Sequence, residues 1–141
     1  MIIKQLSIFL ENKSGRLAEV LGVLGEAGIA IKALTIADTS EYGILRLIVS
    51  DDARALEALR TQGFSVNFTD VISIATPSEA GSFAKILKIM ADQKISVEYM
   101  YAFSFGKKAA IVMRPENINR TIEVMKTNGF DLMTNSEMIE M

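Results

Sequence analysis

Asn12-Lys13-Ser14-Gly15-Arg16-Leu17 is the stretch whose residue types could hold a small charged molecule. The Asn12 amide both donates and accepts hydrogen bonds, which suits a molecule carrying both signs of charge. Gly15 lets backbone come close to a ligand with no Cβ in the way. If Arg16 and Leu17 open a helix, the first-turn amides point outward unpaired and favour a carboxylate. Arg16 adds a cation. A purely structural role is equally open: Asn12 and Ser14 are turn and helix-cap residues in their own right.

Chemistry beyond binding has little to work with. The 141 residues contain no histidine and no cysteine, so the commonest general base, the thiolate nucleophile and the usual soft metal ligands are missing. Asp38, Glu41, Asp51, Asp52 and Glu57 read as loop, cap and helix-surface carboxylates, and none stands beside a recognisable base or nucleophile. A non-enzyme without metal or cofactor is expected.

The candidate stretch occurs twice. Gly15-Arg16-Leu17-Ala18-Glu19-Val20-Leu21 returns 66 residues later as Gly81-Ser82-Phe83-Ala84-Lys85-Ile86-Leu87, and Gly63-Phe64 as Gly129-Phe130. Identities are sparse, but the apolar pattern keeps step. A repeat of this length is a small domain, and two modules are expected, 1–69 and 70–141. In the first, Ile3 to Glu11 reads as a strand and a helix then runs to Ala27. Gly28 stands at its left-handed cap. Ile29–Ala37 and Gly43–Ser50 read as strands around a hairpin loop, Asp38 to Glu41. A helix starts at Asp51 and Asp52, Gly63 caps it, and Phe64–Phe68 is the last strand. The second module repeats the order: strands Val71–Thr76, Ile95–Phe105, Ala109–Met113 and Phe130–Met133, helices Phe83–Gln93 and Asn117–Asn128. Its third strand is expected to need a shift of one or two residues from the common offset. Asn67-Phe68-Thr69-Asp70 is expected to carry the chain directly from one sheet into the other, giving two sheets side by side or one continuous sheet. The fold class is α+β: two ferredoxin-like βαββαβ modules in tandem, sheets side by side, helices on one face.

Leu10 to Leu17 followed by Gly28-Ile29-Ala30-Ile31 resembles the ACT domain, a regulatory ferredoxin-like module of amino-acid enzymes. Thr76-Pro77-Ser78-Glu79-Ala80-Gly81-Ser82-Phe83 with Lys94-Ile95-Ser96-Val97 forms a weaker second copy. The resemblance implies a free amino acid held between the strand-to-helix turn and a strand of a neighbouring module. Carried over, it points to Asn12, Ser14, Gly15, Arg16 and Leu17 in the first copy and to Ser78 and Gly81 in the second. Ala30 and Ser96 stand where the family often has Asn, and Tyr99 lies on the same second-copy strand. The first turn, with its amide and cation, is expected to bind better than the second. The resemblance also implies a regulatory protein acting on a partner in amino-acid metabolism. An alternative is a regulatory subunit similar to the acetolactate synthase small subunit, and a further one is a small enzyme of the same fold. The longer glycine-rich anion loop of acylphosphatase-like enzymes is missing.

Tyr99, Tyr101, Phe103 and Phe105 alternate along one strand. Simple alternation from Ile95 and Val97 would bury them under the helices. The first copy changes parity between Ile31 and Leu34, so a β-bulge near Ala33 and Tyr99 would turn the aromatics outward instead. An outward row asks for a cover, and half the residues are hydrophobic, so a homodimer is expected. Net charge is −2 with no basic run, which argues against nucleic acid. No signal peptide or membrane-length apolar run is visible, and a cytoplasmic location is expected.

Overall fold

Strands form where apolar residues alternate, and helices where they recur every three or four positions. In chain order the elements are β1 (Ile3–Glu11), α1 (Arg16–Glu26), β2 (Ile31–Asp38), β3 (Tyr42–Val49), α2 (Asp52–Thr61), β4 (Ser65–Pro77), α3 (Ser82–Asp92), β5 (Val97–Phe105), β6 (Lys108–Pro115), α4 (Ile118–Thr127), β7 (Asp131–Leu132) and α5 (Asn135–Glu140). The computed structural model describes residues 1–11, 13–38 and 41–140. β3 and β6 stand 66 residues apart, so the third strand of the second copy needs no shift.

The chain forms two units, Lys4–Thr69 with the segment from Ser136, and Asp70–Asn135 with Met1–Ile3. In the first unit β3 pairs antiparallel with β1 and β2, and β4 flanks β1, giving the order β2-β3-β1-β4. The hydroxyls of Ser7 and Thr69, 2.8 Å apart, join β1 to β4 by side chains. In the second unit β6 pairs antiparallel with β4 and β5, and β7 pairs with β4, giving the equivalent order β5-β6-β4-β7. β4 runs unbroken through Asn67–Asp70 rather than turning there.

Each sheet buries one face under two helices. Leu6, Ile8, Leu10, Leu45 and Leu47 meet Val20 and Leu24 of α1 and Ala55 and Leu59 of α2. Ile72, Ile74, Ile111 and Met113 meet Ile86 and Met90 of α3 and Met125 of α4. Each of these Val, Leu, Ile and Met side chains contributes about 1.5–3 kcal/mol through its removal from water.

The register shifts between Ile31 and Ala33 in β2 and between Val97 and Tyr99 in β5. One extra residue reverses the parity of all that follow. Met100 therefore packs on the helix-side core. Tyr99, Tyr101, Phe103 and Phe105 share the opposite face, opposite Arg114, Val112, Ala110 and Lys108.

Four helices end alike. The amides of Ile29, Phe64, Ile95 and Phe130 reach back to the carbonyls of Leu24, Leu59, Met90 and Met125 at 2.9–3.1 Å. This closure requires a left-handed residue just before, supplied by Gly28, Gly63, Lys94 and Gly129.

Candidate functional site

The helices begin in two different ways. Asp51 accepts from the Arg54 amide at 3.2 Å and caps α2, and Asn117 accepts from the Arg120 amide at 3.1 Å and caps α4. α1 and α3 start instead from Gly15 and Gly81, at φ 88 and 85, with no side-chain cap. A Cβ on either glycine would meet nothing within 4 Å, so it is the positive φ and not crowding that calls for glycine. The turns match: the amide of Arg16 bonds the Lys13 carbonyl at 3.3 Å, and that of Ser82 bonds the Glu79 carbonyl at 3.2 Å. Among the described residues, the amides of Leu17 and Ala18 have no partner.

Beside the first turn lies a cavity of about 170 Å³, where the ends of β1 and β2 meet the start of α1. Leu10, Leu17, Ile36 and Gly43 give it apolar walls, and Glu11, Lys13 and Arg16 give it charge. Glu11 and Lys13 form an ion pair at 2.9 Å. The hydrogen bond from Lys13, and then its charge, hold the Glu11 carboxyl below its ordinary value of 4.5.

Of the sequence-expected residues, Arg16 and Leu17 line this cavity, while Ser14 and Gly15 form the exposed turn beside it. Asn12 lies outside the described residues. The Arg16 guanidinium is already engaged: it donates to the Glu19 carboxylate at 2.8 Å and stacks 4.8 Å from the centre of the Phe64 ring. Its Nε is buried without a partner among the described residues. Ala30 is not brought to the turn of its own module. It precedes β2 and exchanges hydrogen bonds with Ser50 at 2.9 Å, whereas the cavity takes Ile36, roughly 20 Å further along the strand. Sequence reasoning gave no separate role to Glu11 and Lys13 and passed over Ile36 and Gly43, which only strand pairing brings to the turn.

The second turn differs. Gly81 again opens the helix, and the Ser78 amide bonds the Lys107 carbonyl at 2.9 Å. Ser96 and Tyr99 lie at the far end of β5: the Ser96 carbonyl accepts from Glu116 and Tyr99 stands opposite Arg114. The end of β5 near this turn is Phe105, opposite Lys108, which in turn pairs with Pro77. Among the described residues no cluster suits a metal ion, and no helix is long and apolar enough to cross a membrane.

Two βαββαβ units, each with an uncapped helix start after its first strand, define a tandem pair of ferredoxin-like modules. The chain belongs to the family described as an ACT domain pair, whose match spans residues 1–141. It is 34% identical over 137 residues to the acetolactate synthase small subunit of Buchnera aphidicola, covering 86% of this chain and 85% of that one. It is 25% identical over 129 residues to the isozyme 3 small subunit of the same enzyme from Salmonella typhimurium, covering 90% and 68%. Among solved structures, a protein of Bacteroides thetaiotaomicron superposes with a TM-score of 0.96 at 45% identity, over 100% of this chain and 98% of that one. The ligand-free regulatory subunit of aspartate kinase from Thermus thermophilus shares the fold, with a TM-score of 0.64 at 18% identity over 89% and 93%.

Proposed function

We propose that this protein senses a free amino acid at its first module and relays its level to a partner enzyme of amino-acid metabolism. The observation that carries this reading is the contrast in helix starts. α2 and α4 satisfy their first-turn amides with Asp51 and Asn117, while α1 leaves its own open beside a charged and apolar cavity. A carboxylate on the amides of Leu17 and Ala18 gains the helix dipole. An ammonium toward Glu11 meets a carboxylate whose ionised form Lys13 favours. Leu10, Leu17 and Ile36 suit an apolar side chain. Asn12 and Ser14 would complete the polar contacts. Ala30, Ser96 and Tyr99, which sit away from the turns of their own modules, suit a strand offered to another copy. The half-buried row from Tyr99 to Phe105 suits burial in a homodimer.

The kinship with acetolactate synthase small subunits supports a catalytic partner enzyme, with this chain as regulatory subunit and no activity of its own. A thermal-shift screen of the twenty amino acids tests the sensor reading. One ligand at about 100 times its dissociation constant should add about 2.7 kcal/mol of stability. No shift with any amino acid at millimolar concentration would reject it. Co-purification of a large subunit would favour a permanent complex over a free sensor.

A further inference from the structure

Each sheet has a face turned away from its helices. In the first unit Phe9, Tyr42 and Ile44 stand on it, out of step with the core residues Ile8, Leu10 and Leu45. The Phe9 and Tyr42 rings are 6.0 Å apart and 55% and 49% exposed, so the chain itself leaves them largely uncovered. Thr35 and Ala37 lie beside them on β2, opposite Arg46 and Ile44. In the second unit the bulk lies on the edge strand instead. Tyr101, Phe103 and Phe105 run along β5, the last two rings 5.9 Å apart. Phe103 stands opposite Ala110, which in turn stands opposite Ala75.

The 66-residue offset sets these positions in correspondence, and large and small exchange places. Phe9 becomes Ala75 and Ile44 becomes Ala110, whereas Thr35 becomes Tyr101 and Ala37 becomes Phe103. Charge is exchanged as well. Just before β3, Glu41 becomes Lys107, and the neighbouring Tyr42 becomes Lys108. Glu41, Lys107 and Lys108 are exposed and have no ion pair among the described residues. Sheets that pack face to face lie about 10 Å apart with their side chains interdigitated, so each face needs hollows where the other has rings. The aromatic row laid on its own copy puts ring on ring. It also gives Lys107 and Lys108 no counter-charge, because Glu98, the one carboxylate of β5 and β6, is already held by Arg114 at 3.0 Å.

We propose that the aromatic row of β5 packs on the Phe9–Tyr42 face of a second copy of this chain, so that the outer face of one module meets that of the other module across the interface. The inference rests on the homodimer reading above and adds which face meets which. Phe9, Tyr42 and Ile44 of one copy fill the shallow ground over Ala75 and Ala110 of the other, and Glu41 answers Lys107 and Lys108. Complementary potentials of this kind favour the crossed pairing over the like one. Each copy carries one face of each kind, so two copies that make the contact in both directions close as a dimer.

The test is sedimentation equilibrium of the full chain and of variants at exposed positions. Phe9→Glu should weaken self-association by about tenfold or more, as a lost aromatic anchor does. Glu41→Lys and Lys107→Glu should each weaken it by about threefold or more. The double variant Glu41→Lys with Lys107→Glu carries both charges reversed and should associate more tightly than either single variant, an effect that a merely structural role for these side chains does not produce. The crossed pairing is overturned, and the homodimer left standing, if Phe103→Glu weakens association while Phe9→Glu and Glu41→Lys do not. It is overturned too if the double variant associates no better than its singles. A parent chain that stays monomeric at micromolar concentration overturns the crossed pairing and the homodimer together.

Discussion

Lys94→Gly should stabilise the protein, against the usual rule that glycine weakens a fold. Lys94 closes α3 at φ 56, where Gly28 closes α1 at φ 72. The bonds around the two residues match: Lys94 to Ala91 at 3.0 Å and Ile95 to Met90 at 2.9 Å, against Gly28 to Gly25 at 3.1 Å and Ile29 to Leu24 at 2.9 Å. The native conformation is therefore set by the Schellman closure, and Lys94 bears the left-handed cost of about 1–2 kcal/mol. Glycine removes that cost but adds about 0.5–1 kcal/mol of unfolded-state entropy to be lost. The net gain is about 0–1.5 kcal/mol, or a rise of up to a few degrees in Tm for a chain of this size. The reverse change, Gly28→Lys, meets no atom within 4 Å of the new Cβ, so it should cost the same net difference with opposite sign. Urea unfolding with an unchanged m-value reads both. A lower midpoint for Lys94→Gly, or an unchanged one for Gly28→Lys, would refute the argument that backbone geometry dominates at these caps.

Asp51→Ala and Asn117→Ala should each cost about 1 kcal/mol in thermal unfolding, because each removes a helix cap. Gly15→Ala leaves no clash but keeps the positive φ, so it should cost about 1 kcal/mol by the same assay. If Glu11 receives the ligand's ammonium, calorimetry should find affinity flat from neutral pH down to the ordinary carboxylate value of 4.5. Its pKa is depressed, so the charged form persists past that point, and binding falls only as pH drops through the lowered value. Tyr101→Glu and Phe103→Glu should each weaken self-association in sedimentation, and a parent protein that sediments as a monomer at micromolar concentration would remove the dimer.

The repeat carried most of the fold, because step-locked apolar positions survive where identities do not. It also made the bulge legible: Leu34 and Ile36 break the parity set by Ile29 and Ile31, and the same break in β5 turns four aromatics to the outer face. The continuity of β4 was hidden by composition. Asn67, Thr69 and Asp70 are turn-forming types, yet Val66, Ile72 and Ile74 keep one parity in the two cores while Ser7 bonds Thr69 on the other face. α5 was missed because six residues carry too little periodicity to stand out, and the burial of Met138 depends on tertiary packing. The candidate site was half legible. Turn chemistry marks Gly15 and Arg16, but Glu11, Ile36 and Gly43 meet only through strand pairing. The commitment of Arg16 to Phe64, 48 positions away in the chain, leaves no local trace.

The glycines that open α1 and α3 have an evolutionary consequence. An ordinary cap needs extended backbone at the residue before the helix, as at Asp51 with φ −144 and Asn117 with φ −125. At φ 88 and 85 a serine or aspartate would have to adopt the left-handed backbone that L residues rarely take. A capping side chain at Gly15 or Gly81 therefore carries a backbone cost that the caps at Asp51 and Asn117 do not. Mutation there loosens the module, and if an outside carboxylate binds at the helix start, its place is set by the backbone and not by any one side chain.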